Sequence, residues 1–144
     1  MSARKFAAGL APAFGLALAA AAHPASSTPL DGVWRISWTA AELRAAGANT
    51  AYARGNQGVL TMTLHSGRLR FHFRKPPDCG VAFRLTGHTF LIPTFRVPTC
   101  PGGQGGSFSA RWTLRGKQLW FSNVHSLDPG DGIFWTRKPW VRIG

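Results

Sequence analysis

Three stretches of the chain alternate apolar and polar residues on both sides of a short turn. Successive side chains of a β-strand point to opposite faces, so each stretch predicts a hairpin with one apolar face. The predicted turns are Ser66-Gly67, Thr86-Gly87 and Gly116-Lys117. The facing apolar pairs are Leu64 with Leu69, Met62 with Phe71 and Leu60 with Phe73 in the first hairpin; Phe83 with Phe90 and Val81 with Ile92 in the second; and Leu114 with Leu119 and Trp112 with Phe121 in the third.

Further elements surround these hairpins. Leu30 to Trp38 alternates like a first strand, and Thr39 with Glu42 forms a capping box that predicts a short helix over residues 40–46. Residues 49–56 are predicted as a loop, and residues 133–136 and 140–143 as closing strands. The prediction is an all-β protein, an antiparallel up-and-down barrel of about eight strands with one short helix after the first strand. A barrel has no open edges and hairpins join neighbours in sequence, which favours it over a two-sheet sandwich.

The start of the chain has the order of a secretory signal peptide. Arg4 and Lys5 precede an uncharged, Ala-rich run, and Ala20 and Ala22 fit cleavage before His23. We therefore expect a signal peptide at 1–22, a short flexible linker at 23–29 and the barrel domain at 30–144, with a second cleavage site possible after Ser27. The run is shorter than the ~20 apolar residues of a spanning helix, so we expect export to the cell envelope or medium rather than a membrane span.

Export also bears on the two cysteines, Cys79 and Cys100, which both lie in turn-like contexts. In an oxidising compartment an isolated pair of this kind predicts a disulfide, here across the ends of the second hairpin. A loop of that length adds roughly 3 kcal/mol of stability in the chain-entropy view. A metal site is the alternative, but the spacing offers too few ligands, and we expect no metal.

The chain is strongly basic, with 17 Lys and Arg against 5 Asp and Glu and a formal net charge of +12. Loss of Arg4 and Lys5 with the signal peptide leaves about +10. Such a surface favours anionic partners, although an arginine-rich composition and a solvated strand face explain the same count. The candidate anionic-surface residues on the polar face of the first hairpin are Arg68, Arg70, Arg74 and Lys75. Aromatic residues lie on the opposite face, so specific nucleic-acid binding is not expected.

Gly32-Val33-Trp34 resembles the Gly-x-Trp motif of the lipocalin first strand. The resemblance covers the mature region and implies a lipocalin-like (calycin) barrel in which Trp34 closes one end beneath a basic residue of the last strand. Arg142 stands in the matching place, with Arg137 as the second choice. The helix position differs from the family, and its other short motifs and long C-terminal helix are missing. The chain also resembles small exported domains of actinobacteria, some attached to solute-binding proteins.

No residues predict catalysis or a cofactor. Glu42 belongs to the capping box, Asp78 to a turn, and Asp128 and Asp131 to a Pro-Gly loop. With so few Asp and Glu side chains, the chain offers few groups for general acid–base catalysis, and we do not expect an enzyme.

The leading hypothesis is a barrel that binds a small apolar or amphipathic ligand in its interior, with a filled core as the alternative. Its predicted lining residues are Met62, Phe71, Phe73, Phe83, Phe90, Trp112 and Phe121. A second hypothesis is a basic module that binds anionic lipid or polysaccharide through the arginine-rich face. A third is a structural accessory domain of an exported transporter component.

Overall fold

The computed structural model describes residues 27–72, 79–94 and 106–144. Within these ranges, nine antiparallel strands form one sheet, which curls into a nearly closed up-and-down barrel. This confirms the predicted fold class. The strands are β1 (Gly32–Trp38), β2 (Gly58–His65), β3 (Arg68–His72), β4 (Cys79–Ala82), β5 (Arg84–Thr86), β6 (Thr89–Ile92), β7 (Phe108–Arg115), β8 (Gln118–His125) and β9 (Trp140–Arg142).

The two ends of the sheet are joined by the chain itself. The strand order is β4-β3-β2-β1-β9-β8-β7-β6-β5, so β4 and β5 lie at opposite ends although only Phe83 separates them in sequence. The Phe83 N–H donates to the carbonyl of Gly67 at 2.8 Å, which carries the pairing with the first hairpin one residue beyond β4. Residues 79–86 therefore form one bent segment, in which β4 pairs with β3 and β5 pairs with β6.

Two of the three hairpins have the predicted register. Met62 faces Phe71 and Leu64 faces Leu69 across the first, while Trp112 faces Phe121 and Leu114 faces Leu119 across the third. The predicted partner of Leu60, Phe73, lies outside the described residues.

The predicted register of the second hairpin is wrong. Leu85 faces Phe90, and Val81 pairs with Leu69 of β3 instead of with Ile92. The turn is Gly87-His88, which puts Gly87 first with φ +55°. The predicted turn would have put Thr86 first, and a β-branched residue is strained where the favoured two-residue turns require positive φ.

The part of the chain that the structure describes contains three helices, two more than predicted. They are α1 (Ala40–Ala45), α2 (Thr50–Asn56) and α3 (Asp131–Thr136). The Thr39–Glu42 capping box of α1 is present in both directions. The predicted loop at 49–56 is wrong because the Asn49 side chain accepts from the Tyr52 N–H at 2.8 Å and caps α2. The predicted strand at 133–136 is wrong because α3 buries the adjacent residues Phe134 and Trp135, which a strand would send to opposite faces.

Among the described residues, no helix has the length and apolar character that crossing a membrane requires. Residues 1–26, which include the predicted signal peptide and most of the linker, lie outside the described residues. Those segment boundaries remain predictions.

Candidate functional site

The barrel interior holds the residues predicted to line a ligand site. All of them that the structure describes are buried: Met62, Phe71, Phe83, Phe90, Trp112 and Phe121. Phe83 and Phe90 stack with ring centroids 5.1 Å apart, and Phe90 meets Phe121 edge to face at 5.4 Å. Their inward direction follows from strand alternation, which the sequence pattern already indicated.

Trp135 of α3 joins these side chains into one aromatic network. Its ring lies 5.9 Å from Phe71, 5.1 Å from Phe121 and 5.1 Å from Trp140, centroid to centroid. It also lies 4.8 Å from Phe108, which lines the interior from β7. These separations are direct ring contacts. In this state, the space between these rings is therefore occupied by Trp135.

Trp34 and Arg142 meet at the end of the barrel that carries the hairpin turns. The two residues face each other across β1 and β9, and the Arg142 Cζ lies 4.4 Å from the Trp34 ring centroid. The Trp34 Nε1–H donates to the carbonyl of Leu30 at 2.8 Å. Arg142 donates to the carbonyls of Asp31 at 2.9 Å and Pro29 at 3.0 Å. This is the arrangement that the Gly-x-Trp resemblance implies, and it ties the chain entering β1 to the last strand.

The arginines that the sequence placed on the polar face point outward. Arg68 and Arg70 are exposed on β3, two residues apart, which corresponds to about 7 Å along a strand. Arg68 faces His65 and Ala82 across the neighbouring strands, and Arg70 faces Thr63 and Gly80. Arg74 and Lys75, the other two residues of this predicted site, lie outside the described residues.

The described carboxylates do not pair with Arg68 or Arg70. The described residues hold twelve Lys and Arg but four Asp and Glu, namely Asp31, Glu42, Asp128 and Asp131. Asp31 accepts from the Thr28 hydroxyl and the Ser66 N–H. Partial burial acts to raise the pKa of Asp31, but these hydrogen bonds outweigh it and the pKa is lowered. Within the described residues, Arg68 and Arg70 have no ion pair with a carboxylate.

Glu42 forms the shortest ion pair among the described residues. Lys138 Nζ lies 2.6 Å from its carboxylate, and the Thr39 N–H and hydroxyl also donate to it. These contacts, that from Lys138 first, lower the pKa of Glu42 to about 2. Lys138 also donates to the Ser37 carbonyl at 3.1 Å and lies 4.5 Å from the Trp38 ring centroid.

Asp131 at the start of α3 is partly buried. It accepts from the Tyr52 hydroxyl at 3.1 Å and from the Ser126 hydroxyl at 2.5 Å. Burial raises the pKa of Asp131 despite both hydrogen bonds. Burial and the neighbouring Asp131 charge likewise raise the pKa of Tyr52 above its ordinary value. The sequence indicated no functional role for either residue. The Asn49 cap was the one local signal, since it places Tyr52 in the first turn of α2.

The sequence predicted no metal site and one disulfide, between Cys79 and Cys100. In the ranges that the structure describes, no cluster of three or more His, Cys, Asp and Glu could hold a metal ion. Cys79 is buried at the first position of β4. Cys100 lies outside the described residues, so its bridge to Cys79 remains a prediction.

Comparison of the chain with protein-family models, with curated proteins and with solved structures gave no match. The class of protein is therefore defined by its fold. It is a nearly closed antiparallel barrel, consistent with a calycin-like fold.

Proposed function

We propose that the protein is an exported, lipocalin-like barrel that binds an acidic polysaccharide through the outer face of its first hairpin. The observation that carries the proposal is that two neighbouring exposed arginines have no carboxylate partner. Arg68 and Arg70 project from β3 and form no ion pair with a carboxylate among the described residues. Asp31, which contacts the first hairpin, accepts from the Ser66 N–H and lies 3.6 Å from His65 instead. An arginine without an internal partner keeps its planar donors available for an external carboxylate or sulfate.

The neighbours of these arginines favour a hydrated polymer over a lipid surface. The residues that face them across β2 and β4 are His65, Thr63, Ala82 and Gly80, which are polar or small. The exposed large apolar residues of the described part are Val59, Leu127, Val141 and Ile143, and none of them faces Arg68 or Arg70. A membrane-binding surface normally adds apolar side chains that enter the bilayer. A polysaccharide needs charge and hydrogen bonds alone.

A heparin column with a salt gradient tests this proposal. The test variant is Arg68→Glu/Arg70→Glu, and the control is Arg111→Glu/Arg115→Glu. The control changes net charge equally, but on β7, five strands away from β3 in the sheet order. Because binding by charge is screened by salt, we expect wild type and control to elute at similar salt and the test variant much earlier.

If both double variants elute at an equally reduced salt concentration, net charge alone drives heparin binding, and the proposed site is overturned. Vesicles with and without anionic lipid provide the second comparison. Salt-sensitive binding to anionic vesicles that exceeds binding to heparin would replace the polysaccharide with a membrane surface.

A further inference from the structure

Arg35 of β1 lies on the same outer face of the barrel as the arginines of β3. It is exposed between two buried neighbours, so strand alternation points its side chain away from the interior. Arg35 faces Thr61 of β2, and Thr63, two residues further along β2, faces Arg70 of β3. Residues that face each other across paired strands lie on one face of the sheet. The outer face that carries Arg70 therefore continues across β2 to Arg35.

Arg35 forms no ion pair with a carboxylate within the described ranges. Its guanidinium therefore keeps its donors available for an external anion, as those of Arg68 and Arg70 do. Its two neighbours across the sheet differ in character. Thr61 on the β2 side is polar and half-buried, whereas Val141 on the β9 side is apolar and exposed. A hydrated polymer bound at Arg35 thus meets hydrogen-bonding side chains toward β2 rather than toward β9.

The separation of Arg35 and Arg70 suits two acidic groups of one polymer. The two residues are two strand spacings apart across the sheet and two residues apart along it, which places their Cα atoms about 12 Å from each other. Two linked sugars span a comparable length, so acidic groups on every second sugar reach both arginines at once. Thr61 and Thr63 lie between the arginines, and their half-buried hydroxyls can bond to the intervening sugar.

Asp31 limits the direction in which a polyanion can lie on this face. Its carboxylate is at the turn end of the first hairpin, where it accepts from the Ser66 N–H and lies 3.6 Å from His65. A polymer that followed the strands toward that turn would approach a like charge. The diagonal from Arg70 to Arg35 leads away from the turn and avoids this repulsion.

We propose that Arg35 is a second anion subsite of this face, and that an acidic polysaccharide crosses β3, β2 and β1 with Arg70 and Arg35 on acidic groups two sugars apart. The ligand class is a linear polysaccharide that carries a carboxylate or sulfate on every second sugar. A disaccharide of this class fills one subsite, and a tetrasaccharide fills both. The inference rests on the proposed function and adds to it the direction of the polymer, its charge spacing and its minimal length.

Hyaluronan oligosaccharides test the spacing, because they carry one carboxylate on every second sugar. The full-length protein is labelled with ¹⁵N, and the arginine Nε–H signals are followed at low salt during titration with the disaccharide and the tetrasaccharide. We expect wild type to bind the tetrasaccharide about five-fold more tightly than the disaccharide. Arg35→Gln should reduce this ratio to about two-fold, the statistical gain from two carboxylates on one ligand. Arg35→Lys keeps the charge and should retain an intermediate ratio.

Heparin provides a second measurement with a matched control. Arg111 of β7 is also exposed between buried neighbours, so Arg111→Gln removes the same charge from a distant strand of the sheet. Each arginine that contacts a polyanion adds to the salt dependence of binding. When the logarithm of heparin affinity is plotted against the logarithm of salt concentration, Arg35→Gln should lower the slope by about one, and Arg111→Gln should leave the slope unchanged.

Equal oligosaccharide ratios for wild type and Arg35→Gln, or equal slopes for Arg35→Gln and Arg111→Gln, would overturn the second subsite and leave the site at Arg68 and Arg70 standing. Unchanged heparin binding by Arg68→Glu/Arg70→Glu would instead overturn the proposed function and the second subsite together. Should Arg35→Gln fail to fold, the two oligosaccharides decide on wild type, where a ratio of about two-fold or less would overturn the second subsite.

Discussion

Arg142 lies over the face of Trp34, with its Cζ 4.4 Å from the ring centroid, and donates to two carbonyls of the segment that precedes β1. One side chain of the last strand therefore holds the aromatic ring of the first strand and the chain that leads into it. A cation–π contact contributes about 0.5–2 kcal/mol, and hydrogen bonds from a charged donor add to it.

Replacing Arg142 with Gln should therefore lower the free energy of unfolding by about 2 kcal/mol. Urea unfolding followed by tryptophan fluorescence measures the change. Arg142→Lys keeps the charge but cannot donate to two carbonyls in the same geometry, so it should lose an intermediate amount. A Gln variant as stable as wild type would show that this contact does not close the barrel.

Gly32, the first residue of the Gly-x-Trp motif, has no room for a side chain. Its φ is +147°, and an added Cβ would lie 2.8 Å from the Gly144 carbonyl oxygen and 3.2 Å from Arg142 Nη1. Gly32→Ala should destabilise the fold by about 1–3 kcal/mol because it combines a strained backbone with this clash.

Gly55→Ala is the matched control for that substitution. Gly55 lies within α2, and an added Cβ would meet nothing within 4 Å. Alanine is the better helix former, so this variant should gain up to about 1 kcal/mol. Equal changes in the thermal unfolding temperature for Gly32→Ala and Gly55→Ala would argue against the close packing around Gly32.

Asp131 should make stability depend on pH. Its pKa is raised in the folded state, so its contribution is fully present below the ordinary value of 3.8 and is lost as the pH rises through the higher folded pKa. Asp131→Asn removes the partly buried charge, and the amide oxygen can still accept from Tyr52. The variant should therefore be more stable than wild type at pH 7, by on the order of 1 kcal/mol, and similar to it near pH 3.

Thermal unfolding across this range measures the difference between Asp131→Asn and wild type. Glu42→Gln provides a contrast of opposite sign. The pKa of Glu42 is lowered from 4.5 to about 2, so its contribution is present above pH 4.5 and is lost as the pH falls toward 2. A gap between Asp131→Asn and wild type that widens toward low pH would contradict the assignment.

The predicted bridge between Cys79 and Cys100 has a direct measurement. Mass spectrometry of a non-reducing digest should show the two cysteine peptides joined, and reduction should lower the free energy of unfolding by roughly 3 kcal/mol. Cys79→Ser/Cys100→Ser should match the reduced protein. Two free thiols in protein purified from an oxidising compartment would remove the bridge.

Local patterns of the sequence predicted much of the sheet. The first and third hairpins have the predicted register because a one-residue slip would have exposed every apolar residue of each strand. The register predicted for the second hairpin was wrong because the turn is Gly87-His88 rather than Thr86-Gly87, with Gly87 at positive φ in the first turn position. The basic outer face followed from the same alternation, but the partners of Asp31, Glu42 and Asp131 were decided by tertiary contacts.

α3 shows where local prediction ended. Ile133, Phe134 and Trp135 have strand propensity, yet they form a helix because Phe134 and Trp135 bury together against the barrel. The sequence also did not predict that the buried indole N–H groups of Trp38 and Trp140 have no hydrogen-bond acceptor among the described residues, because that depends on the tertiary surroundings of each ring.

By itself, the sequence determined the antiparallel meander, the inward aromatic residues and the outward arginines, because strand periodicity and turn residues act over a few neighbouring positions. Only the tertiary structure decided that one bent segment at Phe83 joins the sheet ends and that Trp135 fills the interior. Both features depend on contacts between residues that are distant along the chain, and no local pattern encodes those contacts.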